Sequence, residues 1–145
     1  SARRFDYTML GDMVNLAARL EGANKSYGTL ILAGEASARQ IGQASGIVLR
    51  ELDVVRVKGK KTGVAVYEVV ALQRDVDDRL RGVLAGFQEG LQAWRRQDLA
   101  AARASFEPLA QAGDAPSEVF LQRIDAWGTH RPGPDWDGIY EMKTK

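Results

Sequence analysis

Apolar positions along the chain change their period near residue 75. Before that point they fall in short clusters. Phe5 to Leu10 is β-compatible and is broken by Gly11-Asp12, after which Met13, Leu16, Ala17 and Leu20 recur at i, i+3, i+4 and i+7, one face of a helix that Asp12 is placed to cap. Thr29 to Ala33 reads as a buried strand and Glu35 to Ile41 as a short helix stopped by Gly42. The β-branched runs Ile47 to Val57 and Val64 to Leu72 predict two more strands, the first bending at its polar middle, residues 51–53, with the turn-rich KGKKTG between them. Strand, helix, strand, helix, strand, strand is an α+β order: one sheet covered by helices.

Beyond residue 75 the spacing becomes helical. Val76, Leu80, Leu84, Phe87, Leu91 and Trp94 recur every three or four residues; Asp98 can cap a second helix through Leu99, Ala102, Phe106 and Leu109; and Pro116 sits in the first turn of a third, at Val119, Phe120 and Ile124. All four prolines and all three tryptophans also lie in this part. The pattern predicts a sheet-containing unit over 1–72, a helical extension over 73–128 and a non-helical tail over 129–145, with Trp94 and Trp127 in the core.

Composition narrows the chemistry. The chain of 145 residues is 45% hydrophobic, enough to bury a core. Having no cysteine excludes disulfides, Cys-ligated zinc, iron–sulfur clusters and thiol nucleophiles, and the single histidine, His130, leaves no His-rich metal site. A net charge of +1 provides no basic footprint for nucleic acid. No apolar run approaches the roughly 18 to 20 residues of a membrane span, so the chain is expected to be cytoplasmic, with an upstream membrane anchor left open. It opens on Ser1 rather than Met, and a piece of a longer protein is expected.

The stretch DYTMLGDMVNLAARLE, residues 6–21, resembles the substrate-binding strand and helix of the class III nucleotidyl (adenylate and guanylate) cyclases. Their pattern, Gly-x-x-Val-Asn-x-Ala-x-Arg, is met by Gly11, Val14, Asn15, Ala17 and Arg19. The blocks NKSYGTLILAGEA and VVRVKGKKTGVAVYEVV resemble the rest of such a domain, so the likeness runs over residues 3–72 and implies the C-terminal half of a ferredoxin-like catalytic domain. On spacing alone, Asn15 and Arg19 share a helical face away from the apolar stripe and read as a solvated polar pair. The resemblance implies that Asn15 holds the ribose of ATP and Arg19 binds the reacting phosphate. It implies further that Thr8 reads the purine, favouring ATP, and that Lys58 contacts the triphosphate. On composition alone, Lys58, Lys60 and Lys61 are a lysine-rich hairpin tip in water.

The same pattern places two aspartates that bind Mg or Mn on a segment N-terminal to the residues present here, together with the lysine that partners Thr8. Asp6 and Asp12 lie within the Asn/Arg block and are not substitutes for them. The resemblance therefore implies metal ligands outside this chain, and a bacterial adenylate cyclase fragment inactive until its N-terminal half completes it. The family's site forms at a dimer interface, so homodimerisation is expected, and a half-covered sheet also invites domain-swapped self-association.

FQEGLQAWRRQDLAAARASFEPL resembles a tetratricopeptide repeat. Fewer than the three or so repeats of a stable stack are present, which favours a cap on the sheet or a dimer contact. The alternative function is a protein-interaction module on a catalytically incomplete scaffold. The tail RPGPDWDGIYEMKTK resembles the Pro-Asp-Trp-Asp-Gly ending of many repeat-bearing bacterial cyclases. Its prolines favour extended chain, and Trp136, Ile139 and Tyr140 are the groups able to dock it.

Overall fold

A computed structural model describes residues 27–29, 32–43, 46–57, 61–128 and 130–142. Strand and helix alternate first: β1 (Leu32–Gly34), α1 (Glu35–Gln43), β2 (Ile47–Val57) and β3 (Val64–Leu72). A 3-10 turn, Gln73–Asp75, leads into α2 (Asp78–Arg95), α3 (Leu99–Gln111) and α4 (Ala115–Trp127), and the tail ends in β4 (Tyr140–Met142). The α+β class holds. The strand and helix expected over residues 5–20 lie outside the described residues.

Among the described residues four strands form one sheet in the order β1-β3-β2-β4. β3 is antiparallel to both β1 and β2, whereas β4 runs parallel to β2. The predicted bend in β2 is a change of register: Glu51 faces Tyr67 and Asp53 faces Val66, leaving Leu52 as an extra residue. Such a bulge resets the two-residue alternation of side chains. Leu52 and Asp53, neighbours in sequence, are accordingly both fully buried.

α2, α3 and α4 each begin where an aspartate accepts from the first turn. Asp77 Oδ1 accepts from the Leu80 N–H at 2.8 Å, Asp98 Oδ1 from Ala101 at 3.2 Å and Asp114 Oδ2 from Ser117 at 3.3 Å. These bonds satisfy amide donors that the helix leaves without partners. Pro116 occupies the first turn of α4, as its sequence position predicts. α2 and α3 end alike, with the second residue past the helix in the left-handed region: Gly113 at φ 99° after α3, Gln97 at φ 61° after α2. Glycine takes that conformation freely; for glutamine it costs roughly 1 to 2 kcal/mol.

Among the described residues one apolar cluster joins the sheet to the helices. Tyr27, Leu52, Val55 and Val66 from the sheet side join Phe87, Leu91, Trp94, Phe106, Phe120 and Ile124 from the helices. Trp94 is fully buried at its centre, stacked on Trp127 at 4.8 Å and edge-on to Phe120 and Trp136 at 5.0 and 4.9 Å. Each such pair adds about 0.5 to 1.5 kcal/mol beyond the area it buries. The tail, which the sequence pattern leaves as extended chain, enters this cluster through Trp136 and Tyr140.

α2 and α3 approach closely at Gly90, where a Cβ would stand 2.7 Å from the Phe106 ring. Gly90→Ala should therefore lower stability by about 1 to 3 kcal/mol through overpacking, read as a fall in the urea midpoint; an unchanged midpoint would contradict the tight crossing.

Candidate functional site

Thr8, Asn15, Arg19 and Lys58 all lie outside the described residues. The described residues hold a polar framework organised on β2. The bulge at Leu52 brings Arg50 and Asp53, on either side of it, into buried positions against the helices.

Asp53 is the deeper of the two. Its Oδ2 accepts from the Arg123 Nη1 at 2.5 Å and from the Tyr27 hydroxyl at 2.7 Å, and its Oδ1 accepts from the Val54 amide at 2.8 Å. The Arg123 Nη2 also donates to the Tyr27 oxygen at 3.3 Å. Aromatic rings surround the guanidinium, with Tyr140 at 3.6 Å, Phe120 at 4.8 Å and Tyr27 at 5.4 Å from its carbon to their centroids. A cation held this way gains from the ring faces as well as from the carboxylate. Burial and then the Asp53 charge push the Tyr27 hydroxyl far above its ordinary range, so it stays a donor. Burial alone would lower the Arg123 guanidinium; the Asp53 carboxylate more than reverses this and holds it above its usual value. Burial likewise works against the Asp53 carboxylate and raises it, opposed by the charge and donors of Arg123 and by the Tyr27 and Val54 bonds.

Arg50 performs a second cross-link. Its Nε donates to Glu68 Oε2 on β3 at 2.8 Å, its Nη2 donates to the same oxygen, and its Nη1 reaches both oxygens of Asp114 at 3.0 Å. Asp114 is also the cap of α4, accepting from the Ser117 hydroxyl at 2.5 Å. One arginine thus ties two strands to the start of the helix that carries Arg123. Gly28, at φ 65°, lies against the same helix start, where a Cβ would come within 2.8 Å of the Ala115 Cβ.

Spacing did contain a trace of this framework. Asp53 lies between Leu52 and Val54 in the polar middle of its strand, and Arg123 falls three after Phe120 and four before Trp127, on the apolar face of its helix. Tyr27 carries no comparable signal.

A groove of about 320 Å³ lies between α2 and the β2–β3 pair, lined by Arg50, Glu51, Tyr67, Phe87, Leu91 and Arg95 among others. Its two arginines already face carboxylates, Arg50 as described and Arg95 on Glu51 at 3.0 Å. Such a groove does not present a free cation to a phosphate. Among the described residues no three His, Asp or Glu side chains come together as a metal site, and no helix is long and apolar enough to cross a membrane.

Comparison with known proteins points one way. The chain is 42% identical over 83 residues to "Adenylate cyclase 1" of Rhizobium meliloti (strain 1021), a match covering 57% of this chain and 12% of that protein. It is 33% identical over 124 residues to "Adenylate cyclase, terminal-differentiation specific" of Dictyostelium discoideum, covering 83% of this chain and 6% of that protein. "Adenylate cyclase" of Anabaena cylindrica is 44% identical over 69 residues, 47% of this chain and 14% of its own. The chain is thus related to adenylate cyclases while spanning a small share of each relative's length. No protein-family model and no solved structure matches it.

Removing one partner of the Asp53–Arg123 pair leaves a buried charge uncompensated. Arg123→Met should cost about 3 to 5 kcal/mol, and adding Asp53→Leu should recover part of that loss. Urea unfolding of the two variants checks this, with a near-neutral single variant as the contrary result.

Proposed function

We propose that this chain is the substrate-binding portion of an adenylate cyclase, which converts ATP to cyclic AMP and pyrophosphate. The supporting observation is the extent of the likeness. A match of 124 residues to an adenylate cyclase is too long for the Asn/Arg half alone, residues 3–72, and must continue into the helices. Motif, sheet and helical extension then belong to one kind of protein. The aromatic core that joins sheet to helices supports the same reading over a free-standing interaction module, because the helices spend apolar surface on the sheet.

In this reading Arg19 binds the α-phosphate and Asn15 orients the ribose so that the 3′-oxygen attacks in line. The bond from that oxygen to the α-phosphorus forms, the bond to the β-phosphate breaks, and pyrophosphate departs with the electron pair while the hydroxyl proton passes to solvent. Charge spreads over the phosphoryl oxygens in that transition state. A guanidinium meets it with a permanent charge and a fork of donors. Thr8, able to donate or accept through one hydroxyl, reads the adenine edge, and Lys58 holds the triphosphate as a point charge. Mg or Mn would supply charge neutralisation and activation of the hydroxyl. The described residues offer no ligand set for it, and its aspartates are assigned to a segment outside these 145 residues.

Arg19→Ala in the full-length protein should lower kcat by about a hundredfold to a thousandfold. Initial rates with ATP and Mn test this, and unchanged turnover would sink the assignment.

A further inference from the structure

The tail lies over the rest of the molecule as an outer layer. None of residues 131–141 is fully buried, whereas Trp94 and Val55 beneath them are. Its contacts fall in three groups. At the turn between α2 and α3, Arg131 donates to Gln97 through Nε at 3.2 Å and also to its carbonyl, and the Gln97 Nε2 donates to the Gly133 carbonyl at 2.9 Å. Midway, Trp136 meets Trp94 and Trp127 edge-on at 4.9 Å and donates its indole N–H to the Ile139 carbonyl at 3.1 Å. At the sheet, Asp137 accepts from the Arg56 Nη1 at 2.9 Å and the Tyr140 ring covers the Arg123 guanidinium at 3.6 Å. Tyr140, Glu141 and Met142 pair there with Val55, Arg56 and Val57, and among the described residues β4 is the only strand on that edge of β2.

What the tail covers has other support. Arg123 keeps the Asp53 carboxylate, the Tyr27 oxygen and the Phe120 ring, none of which the tail supplies. Trp94 keeps Phe120 and the stacked Trp127. The helices hold one another through Phe87, Phe106 and Phe120. An outer segment with few buried contacts opens at a smaller free energy than the core it lies on. Lifting this one would bare, side by side, the edge of β2 at residues 55–57, the rings of Trp94 and Trp127, and the cations Arg56 and Arg123. A strand edge flanked by side-chain pockets takes an extended segment by adding a strand: the backbone supplies affinity and the pockets supply specificity.

We propose that residues 131–142 are a releasable latch over a strand-docking groove on β2. The groove takes an extended segment with an aromatic residue, an acid directly after it and a second aromatic three further on, the spacing of Trp136, Asp137 and Tyr140. The chain's own tail is its resident occupant and excludes a competing segment while closed. Each element of that pattern has its counterpart underneath: the two tryptophan rings for Trp136, Arg56 for Asp137 and Arg123 for Tyr140. The inference stands on the described residues and is independent of the nucleotide reading above.

The test uses the full chain, its Trp136→Ala and Asp137→Ala variants, and a labelled synthetic peptide of residues 130–142. In native-state hydrogen exchange, the amides of residues 55–57 and 140–142 that the β2–β4 pairing protects should exchange about a hundredfold or more faster than those of α3, the mark of local opening. Trp136→Ala should speed the first group by about a further tenfold, through loss of two edge-on ring contacts, and leave α3 unchanged. By fluorescence anisotropy the peptide should bind Trp136→Ala about tenfold more tightly than the unsubstituted chain, because a resident tail lowers apparent affinity by the fraction of molecules it keeps closed. A peptide carrying Ala in place of its tryptophan should not bind. Asp137→Ala, whose ion pair is open to water, should give the same ordering in smaller steps and keeps the test standing if Trp136→Ala fails to fold. Equal exchange in the two groups, rising together in the variants, would show that the tail opens only with the core and overturn the latch. Equal peptide affinity for the variants and the unsubstituted chain, or no binding to any of them, would overturn the docking groove.

Discussion

The contact between Asp53 and Arg123 is the constraint on which the rest of the structure depends. It joins a strand in the sheet to the last helix of the extension, inside a shell of aromatic rings, where neither charge has an alternative in water. Desolvating two such groups costs several kcal/mol per ion, repaid only when geometry and further hydrogen bonds are good. Here they are: the carboxylate has three donors, and the guanidinium has the tyrosine oxygen and the face of Tyr140 besides. The pair therefore acts less as a source of stability than as a specification, since sheet and helices can assemble in only one relation without stranding a charge. Arg50 repeats the device one bulge away, tying β2 and β3 to the cap of the same helix.

This arrangement explains why the division of the chain into a sheet unit and a helical unit describes its sequence pattern better than its interior. The periodicity changes near residue 75, but the core does not stop there. Leu52, Val55 and Val66 from the strands share one cluster with Phe87, Trp94 and Phe120 from the helices. The helices accordingly pack directly on β2, the strand that precedes the lysine-rich stretch in sequence.

Much of the fold was legible in residue order because it depends on local chemistry. β2 and β3 are long β-branched runs, and the helices carry apolar stripes bounded by Asp98 and Pro116, so their existence follows from period and caps. The polar break at residues 51–53 marked where β2 would deviate, but not that Leu52 would be the extra residue, because register depends on the partner strand. β4 was invisible for a similar reason: three residues hold no periodicity, and they become a strand only where β2 offers them an edge. Arg123 as a buried cation needed Asp53 opposite it, a relation between residues far apart in the chain. The candidate site is the reverse case. Thr8, Asn15, Arg19 and Lys58 stand out through a motif, while the buried ion pairs of the described residues stand out only through contacts.

Gly63 illustrates how such contacts bind distant positions. The space beside its α-carbon is occupied by Ile139 on one side and Val54 on the other. Residues 63 and 139 therefore share a fixed volume, and neither can grow unless the other shrinks. A family of sequences drifting under that restriction would exchange bulk between hairpin and tail while conserving the sum, so a record of the tail's attachment would persist even where every residue of the tail itself had changed.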